Sequence, residues 1–216
     1  VTLVHADFDA ALVFRDDFQV FLLAGAGTRA GREGAWGALV GAGLESVSDT
    51  LRVHAQVEAR RQHGGFRQGF FGPDYELGRF VAAGHASLPA AQAPFPDGYS
   101  VFGELTIARD TLHLDHARRE LHLSLAAEAF SWGRLDTQVR ISTWRMLRHL
   151  YLALDVLGVG VGQPKARYAV SGEVRYRFTR YLYVLGRGGT LLSLQPDATV
   201  RPGVQAQLGL GATYAR

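Results

Sequence analysis

The sequence predicts an all-β, antiparallel fold, and three observations carry that expectation. The first is Leu51–Arg60, LRVHAQVEAR, in which apolar and polar residues alternate without interruption. Leu51, Val53, Ala55, Val57 and Ala59 fall on one face, and Arg52, His54, Gln56, Glu58 and Arg60 on the other, because side chains of a strand repeat with a period of two. The second is length. Several segments of this kind run for ten residues or more, whereas soluble strands run about 5–6 residues and a tilted strand crosses a bilayer in ~9–11. The third is hydropathy. Of 216 residues 47% are hydrophobic and 20% charged, yet the mean hydropathy is essentially zero, as in a chain whose strands turn only every second residue to lipid. Together these predict an antiparallel transmembrane β-barrel of about twelve strands, ten to fourteen being compatible, with a polar lumen. A soluble antiparallel barrel or sandwich also alternates its faces, but its strands are shorter.

The strands follow in order, separated by turn residues. Leu3–Phe14 leads into Arg15-Asp16-Asp17, and Phe18–Gly27 follows. Glu33–Glu45 reaches the turn Ser46–Asp49 before Leu51–Arg60. Arg61–Gly98 is the longest irregular region, with Gly64-Gly65, Gly72-Pro73, Pro89, Pro94 and Pro96; within it Tyr75–Ala83 suits one strand. Tyr99–Arg109, Glu120–Phe130, Leu135–Thr143, His149–Val159, Ala166–Phe178, Tyr181–Arg187 and Val204–Tyr214 complete the set. Thr179-Arg180 reads as a short turn and Gly188–Gly203 as a long loop, the rim asymmetry expected of a membrane barrel. Ala166–Phe178 adds a cue of its own. Tyr168, Tyr176 and Phe178 flank Val170, Gly172 and Val174 on one face, and aromatic rings favour the two water–lipid interfaces.

Other classes fall away. No run approaches the roughly 18 uncharged apolar residues of a spanning helix, since Asp155 interrupts Leu150–Gly162. The absence of cysteine excludes disulfides and thiolate metal sites. A net charge of +3, with its basic residues scattered, does not suit nucleic acid. The 26 glycines against 7 prolines suit a chain of many tight turns. Residues 1–216 read as a single domain. With no initiator Met and alternation from Val4 onward, the chain reads as a mature or trimmed form, leaving upstream strands or a periplasmic domain open.

The C-terminal strand carries a resemblance. Gln207-Leu-Gly209-Leu-Gly-Ala212-Thr-Tyr214 resembles the C-terminal assembly signal of bacterial outer-membrane β-barrels: polar, any, Gly, two of any, apolar, any, aromatic. Gln207, Gly209, Ala212 and Tyr214 fill its four positions, and the chain continues with Ala215-Arg216 where the family usually ends on the aromatic. The resemblance implies an integral protein of the Gram-negative outer membrane, surrounded by its lipid and folded by the barrel-assembly machinery.

Candidate chemistry is sparse. VFLLAGAGTRAG places Gly25, Gly27 and Gly31 after an apolar run, but the following residues lack the helix a dinucleotide loop requires. His113, Asp115, His116 and His122 are dense but do not share a strand face, and metal ligands must converge. Ser124 and His122 share a face with Glu128, at ~7 Å spacing along a strand, and no G-x-S-x-G elbow accompanies them. No catalytic residue, cofactor or metal is therefore assigned, and a lipid-modifying hydrolase is the least favoured reading.

The inward polar set is more informative. Asp7, Asp9, Arg52, Glu58, Arg60, Glu104, Glu128, Asp136, Arg140, Glu173, Arg175 and Arg177 mix both signs. They suit either a wet lumen with a transverse field or a lumen plugged by charge pairs. About twelve strands leave room for the first. Arg52, Glu58, Glu104, Arg140, Glu173, Arg175 and Arg177 are the expected pore lining. Phe66, Phe70, Phe71 and Tyr75 make the 61–98 loop aromatic, so it is expected to pack as a lid or against an envelope protein partner. The expectation is a channel for small polar solutes or a secreted polymer; the alternative is a closed barrel anchoring an envelope complex.

Overall fold

A computed structural model describes residues 2–30, 34–66, 82–83, 86–87, 96–113, 116–147, 149–164, 166–179, 181–194 and 200–212. They form β1 (Thr2–Phe14), β2 (Phe18–Ala30), β3 (Trp36–Val47), β4 (Leu51–His63), β5 (Ala82–Ala83), β6 (Ala86–Ser87) and β7 (Gly98–His113). β8 (His116–Phe130), β9 (Leu135–Leu147), β10 (Leu150–Val159), β11 (Arg167–Arg177), β12 (Leu182–Leu194) and β13 (Val200–Ala212) follow, and no helix occurs among the described residues. Eleven strands build one sheet in the order β1-β2-β3-β4-β7-β8-β9-β10-β11-β12-β13, while β5 and β6 pair separately. Every neighbouring pair is antiparallel. The sheet is a meander with two free edges, β1 and β13.

Alternation explains the sheet's two faces, because the register keeps like residues in phase across it. Arg52 pairs with Ala108, Ala108 with His122, His122 with Ser142, Ser142 with Ala153 and Ala153 with Glu173, all on the polar face. The opposite face carries exposed apolar side chains, among them Val40, Val57, Val101, Ile141, Leu154 and Val174. A sheet exposing this much apolar surface on one side has no buried sandwich core there. Tyr168 and Tyr176 lie on that face near the two ends of β11 and are half exposed.

The two ends of the sheet differ. At one rim the connections are 15–17, 48–50, 114–115, 148–149 and 178–181; at the other they are 31–35, 64–97, 131–134, 160–166 and 195–199. Short polar side chains close the short-turn rim. The Ser48 hydroxyl accepts from Leu51 N (3.2 Å), and the Thr179 hydroxyl accepts from Leu182 N (3.0 Å). All the described glycines with left-handed backbone, such as Gly64 (φ 66°) and Gly65 (φ 78°), lie at the long-loop rim. The Gly64-Gly65 pair turns the chain out of β4 through a conformation that L side chains resist.

The strands outrun the alternating segments. β12 continues to Leu194 and β13 begins at Val200, so most of Gly188–Gly203, expected as loop, is paired strand. The glycines and Pro202 mask the pattern there, and Pro202 is tolerated because β13 lies at a sheet edge. Tyr75–Ala83 lies outside the described residues except for β5 at its end.

Candidate functional site

The polar face of the sheet is the candidate site. All seven residues expected to line a path lie on it: Arg52 and Glu58 on β4, Glu104 on β7, Arg140 on β9, and Glu173, Arg175 and Arg177 on β11. They do not converge on one point. They form separate clusters along the wall.

The densest cluster spans β4, β7 and β8 toward the long-loop rim. The Arg60 guanidinium donates to Glu58 (2.8 Å) and Glu128 (3.1 Å) and stacks over the Phe102 ring at 4.1 Å. Ser100 donates to Glu128 at 2.6 Å, and the Gln62 amide nitrogen reaches Ser100 at 3.4 Å. Glu58, Gln62 and Ser100 are buried. Gln62 leaves its Oε1 without a hydrogen-bond partner, the one buried side-chain polar atom so placed among the described residues.

A second cluster adjoins it. Glu128 faces Asp136 across β8 and β9, and two carboxylates at that spacing repel. Arg134 neutralises Asp136 through Nε (2.8 Å to Oδ1), and Asp136 also accepts from Gly160 N (2.9 Å). Both side chains are over nine-tenths buried. Among the described residues the two clusters bring together three carboxylates, Glu58, Glu128 and Asp136, and two guanidiniums, Arg60 and Arg134.

Toward the short-turn rim the same face is looser. Gln56 reaches Glu104 at 3.4 Å, and the Thr106 hydroxyl lies 3.3 Å from Glu104 and 3.2 Å from Ser124. Arg52 approaches Glu45 at 3.5 Å with half its side chain exposed. Arg140 stands opposite Asp155, whose carboxylate accepts from Gln138 (3.2 Å). On β11, Arg175 pairs with Glu173 and lies near the rings of Tyr151 and Tyr183. Ser124 and His122 do share the face, but the hydroxyl beside Ser124 is Thr106, which supplies no general base.

The aromatic loop contributes Phe66, which is buried. Its ring occupies the space that side chains at Gly27 and Gly37 would fill, on neighbouring strands of the polar face. Asp97 fastens the other end of the loop, accepting from Gly64 N (2.8 Å) and pairing with His63 Nδ1 (2.8 Å). Phe70, Phe71 and Tyr75 lie outside the described residues, as does Tyr214. Gln207 and Gly209 fall on the polar face of β13, opposite Arg187 and Leu185, while Ala212 lies on the apolar face opposite Leu182.

Sequence reasoning missed Arg134, Gln62 and Ser100 as members of the site. A signal for the first was present. Glu58-x-Arg60, Arg134-x-Asp136 and Glu173-x-Arg175 each place opposite charges two residues apart, on one face of a strand and within reach of long side chains. Neither a protein-family model nor a curated protein matches the chain.

Proposed function

We propose that the sheet is the wall of a bacterial outer-membrane β-barrel whose polar face lines a water-filled channel for small polar solutes or a secreted polymer. One observation carries this reading: the arginine–carboxylate pairs among the described residues run along the wall. Arg52–Glu45, Arg60–Glu58, Arg60–Glu128, Arg134–Asp136 and Arg175–Glu173 each join residues of one strand or of strands close together in the sheet. Charges paired along the wall are compensated without a plug crossing the lumen. The apolar face supplies the lipid contact, and the short-turn rim, where β13 ends, faces the periplasm. The assembly-signal resemblance of Gln207, Gly209, Ala212 and Tyr214 accords with folding by the barrel-assembly machinery.

Single-channel current across a planar bilayer tests the proposal. Discrete conductance steps are expected, and Arg175→Glu is expected to shift the reversal potential toward cation preference. Stable insertion without current would overturn the channel and favour a closed barrel that anchors an envelope complex through the 61–98 loop. That second reading draws on the packing of Phe66, Gln62, Phe130, Leu157 and Val159 toward the long-loop rim.

A further inference from the structure

The charges of the polar face are segregated by strand. On β4, β7 and β8 the described side chains Glu58, Glu104 and Glu128 stand among Arg52 and Arg60. On β9 and β10, Asp136 and Asp155 share the face with Arg140. β11, β12 and β13 differ. Their polar face carries Arg167, Arg175, Arg177, Arg187 and Arg201 against a single carboxylate, Glu173. The register puts all six on one side, with Glu173 opposite Arg187, Arg187 opposite Gln207, Arg177 opposite Tyr183 and Arg201 opposite Ser193.

This basic strip runs from rim to rim. Arg167 and Arg201 begin β11 and β13 beside the long-loop rim, Arg187 lies midway along β12, and Arg175 and Arg177 end β11 at the short-turn rim. Arg175 and Arg177 are ~7 Å apart along their strand, about a Debye length at physiological salt, so their potentials add. Arg187 is exposed, and Glu173 opposite it is already engaged by Arg175. The rings of Tyr151 and Tyr183 lie 5.2 and 5.9 Å from the Arg175 guanidinium. They steady its plane without adding negative charge. A guanidinium fork matches the paired oxygens of a carboxylate or phosphate. A row of such forks on a wet, low-dielectric wall concentrates anions of that kind.

We propose that the β11–β13 sector is a binding strip for oxyanions, and that the solute passed along it carries carboxylate or phosphate groups. The binding stands on the arginines themselves, whereas the passage rests on the membrane-channel reading.

Two probes, tripolyphosphate and trigalacturonate, separate the two oxyanion chemistries, with spermine as the cationic control. Titration of the detergent-folded protein by calorimetry is expected to show saturable binding of at least one anion and none of spermine. The tighter anion identifies the group, phosphate or carboxylate. Arg187→Gln is expected to weaken that binding at least about tenfold, the worth of one charge-assisted hydrogen bond. Arg187→Lys is expected to recover part of it, and Arg15→Gln, in a turn off the strip, to leave it unchanged. In a planar bilayer under a potassium chloride gradient, the same anion is expected to reduce a chloride-preferring current. No saturable binding of either anion, equal binding of spermine, or an affinity that Arg187→Gln and Arg201→Gln both leave unchanged overturns the proposal. A current that prefers potassium also overturns it and leaves the channel standing. Arginine-dependent anion binding without any current supports the strip and defeats the channel reading alone.

Discussion

The two halves of the polar face, divided across the strands, are built from similar residues and organised differently. Toward the long-loop rim Arg60, Glu128, Arg134 and Asp136 are shut away from solvent beside Phe66, Phe130, Leu157 and Val159. Toward the short-turn rim Arg52 and Arg140 stand exposed, and the polar contacts of Glu104 and Asp155 are to amides and a hydroxyl. The difference teaches that charge content does not decide whether a wall is packed. Glycine does much of it. The bare backbone at Gly27 and Gly37 leaves room for the Phe66 ring on the wall, and the left-handed Gly64-Gly65 pair turns the chain out of β4 just before it.

Substitutions that break this contrast rank by how much buried charge they strand. Asp136→Ala removes the carboxylate that Arg134 and Gly160 N share in the packed half, and is expected to cost about 3–5 kcal/mol in denaturant unfolding. A loss no larger than that of an exposed charge would show that the two halves are equally wet. Gly37→Val fills the place of Phe66 and is expected to cost ~1–3 kcal/mol through overpacking, with faster proteolysis within 64–97 as the accompanying readout. Unchanged cleavage would mean that Phe66 does not hold the loop. Gln62→Leu removes a buried amide whose Oε1 lacks a partner, and the expected sign reverses. Stability is unchanged or gains up to about 1 kcal/mol, and a clear loss would place a bound water or ion on that oxygen. Arg140→Gln, in the open half, is expected to move stability by no more than ~0.5 kcal/mol in the same unfolding measurement.

Much of the sheet was legible in the residues. Alternation together with the turn residues between segments located each of the eleven strands of the main sheet, because a wall with one apolar and one polar face tends to repeat every second residue. The seven charged residues expected on the polar face share it for the same reason. Their partners were not legible. Arg60 reaches Glu128 across β7, and only the register of β4 on β7 and of β7 on β8 sets that approach. Leu157 and Val159 alternate with outward residues as if lining a wet wall, yet are buried, packed with Ala169 between β9 and β11. The continuation of β12 and β13 through 188–194 and 200–203 was hidden by glycine and proline, whose hydropathy carries no facing information.

The meander order also sets a sequence of folding events. Apart from one place, each strand of the sheet finds its partner after a connection of two to seven residues, so hairpins form locally and extend by zipping. The exception is the pairing of β4 with β7 across 64–97. Closing that span costs about 2 kcal/mol more in chain entropy than closing a three-residue turn, on the logarithmic loop law. On that ground two ladders, β1–β4 and β7–β13, are expected to form first and to join more slowly, which stopped-flow folding of variants in each ladder would check. Asp97, accepting from Gly64 N and pairing with His63, ties the two ends of that span together.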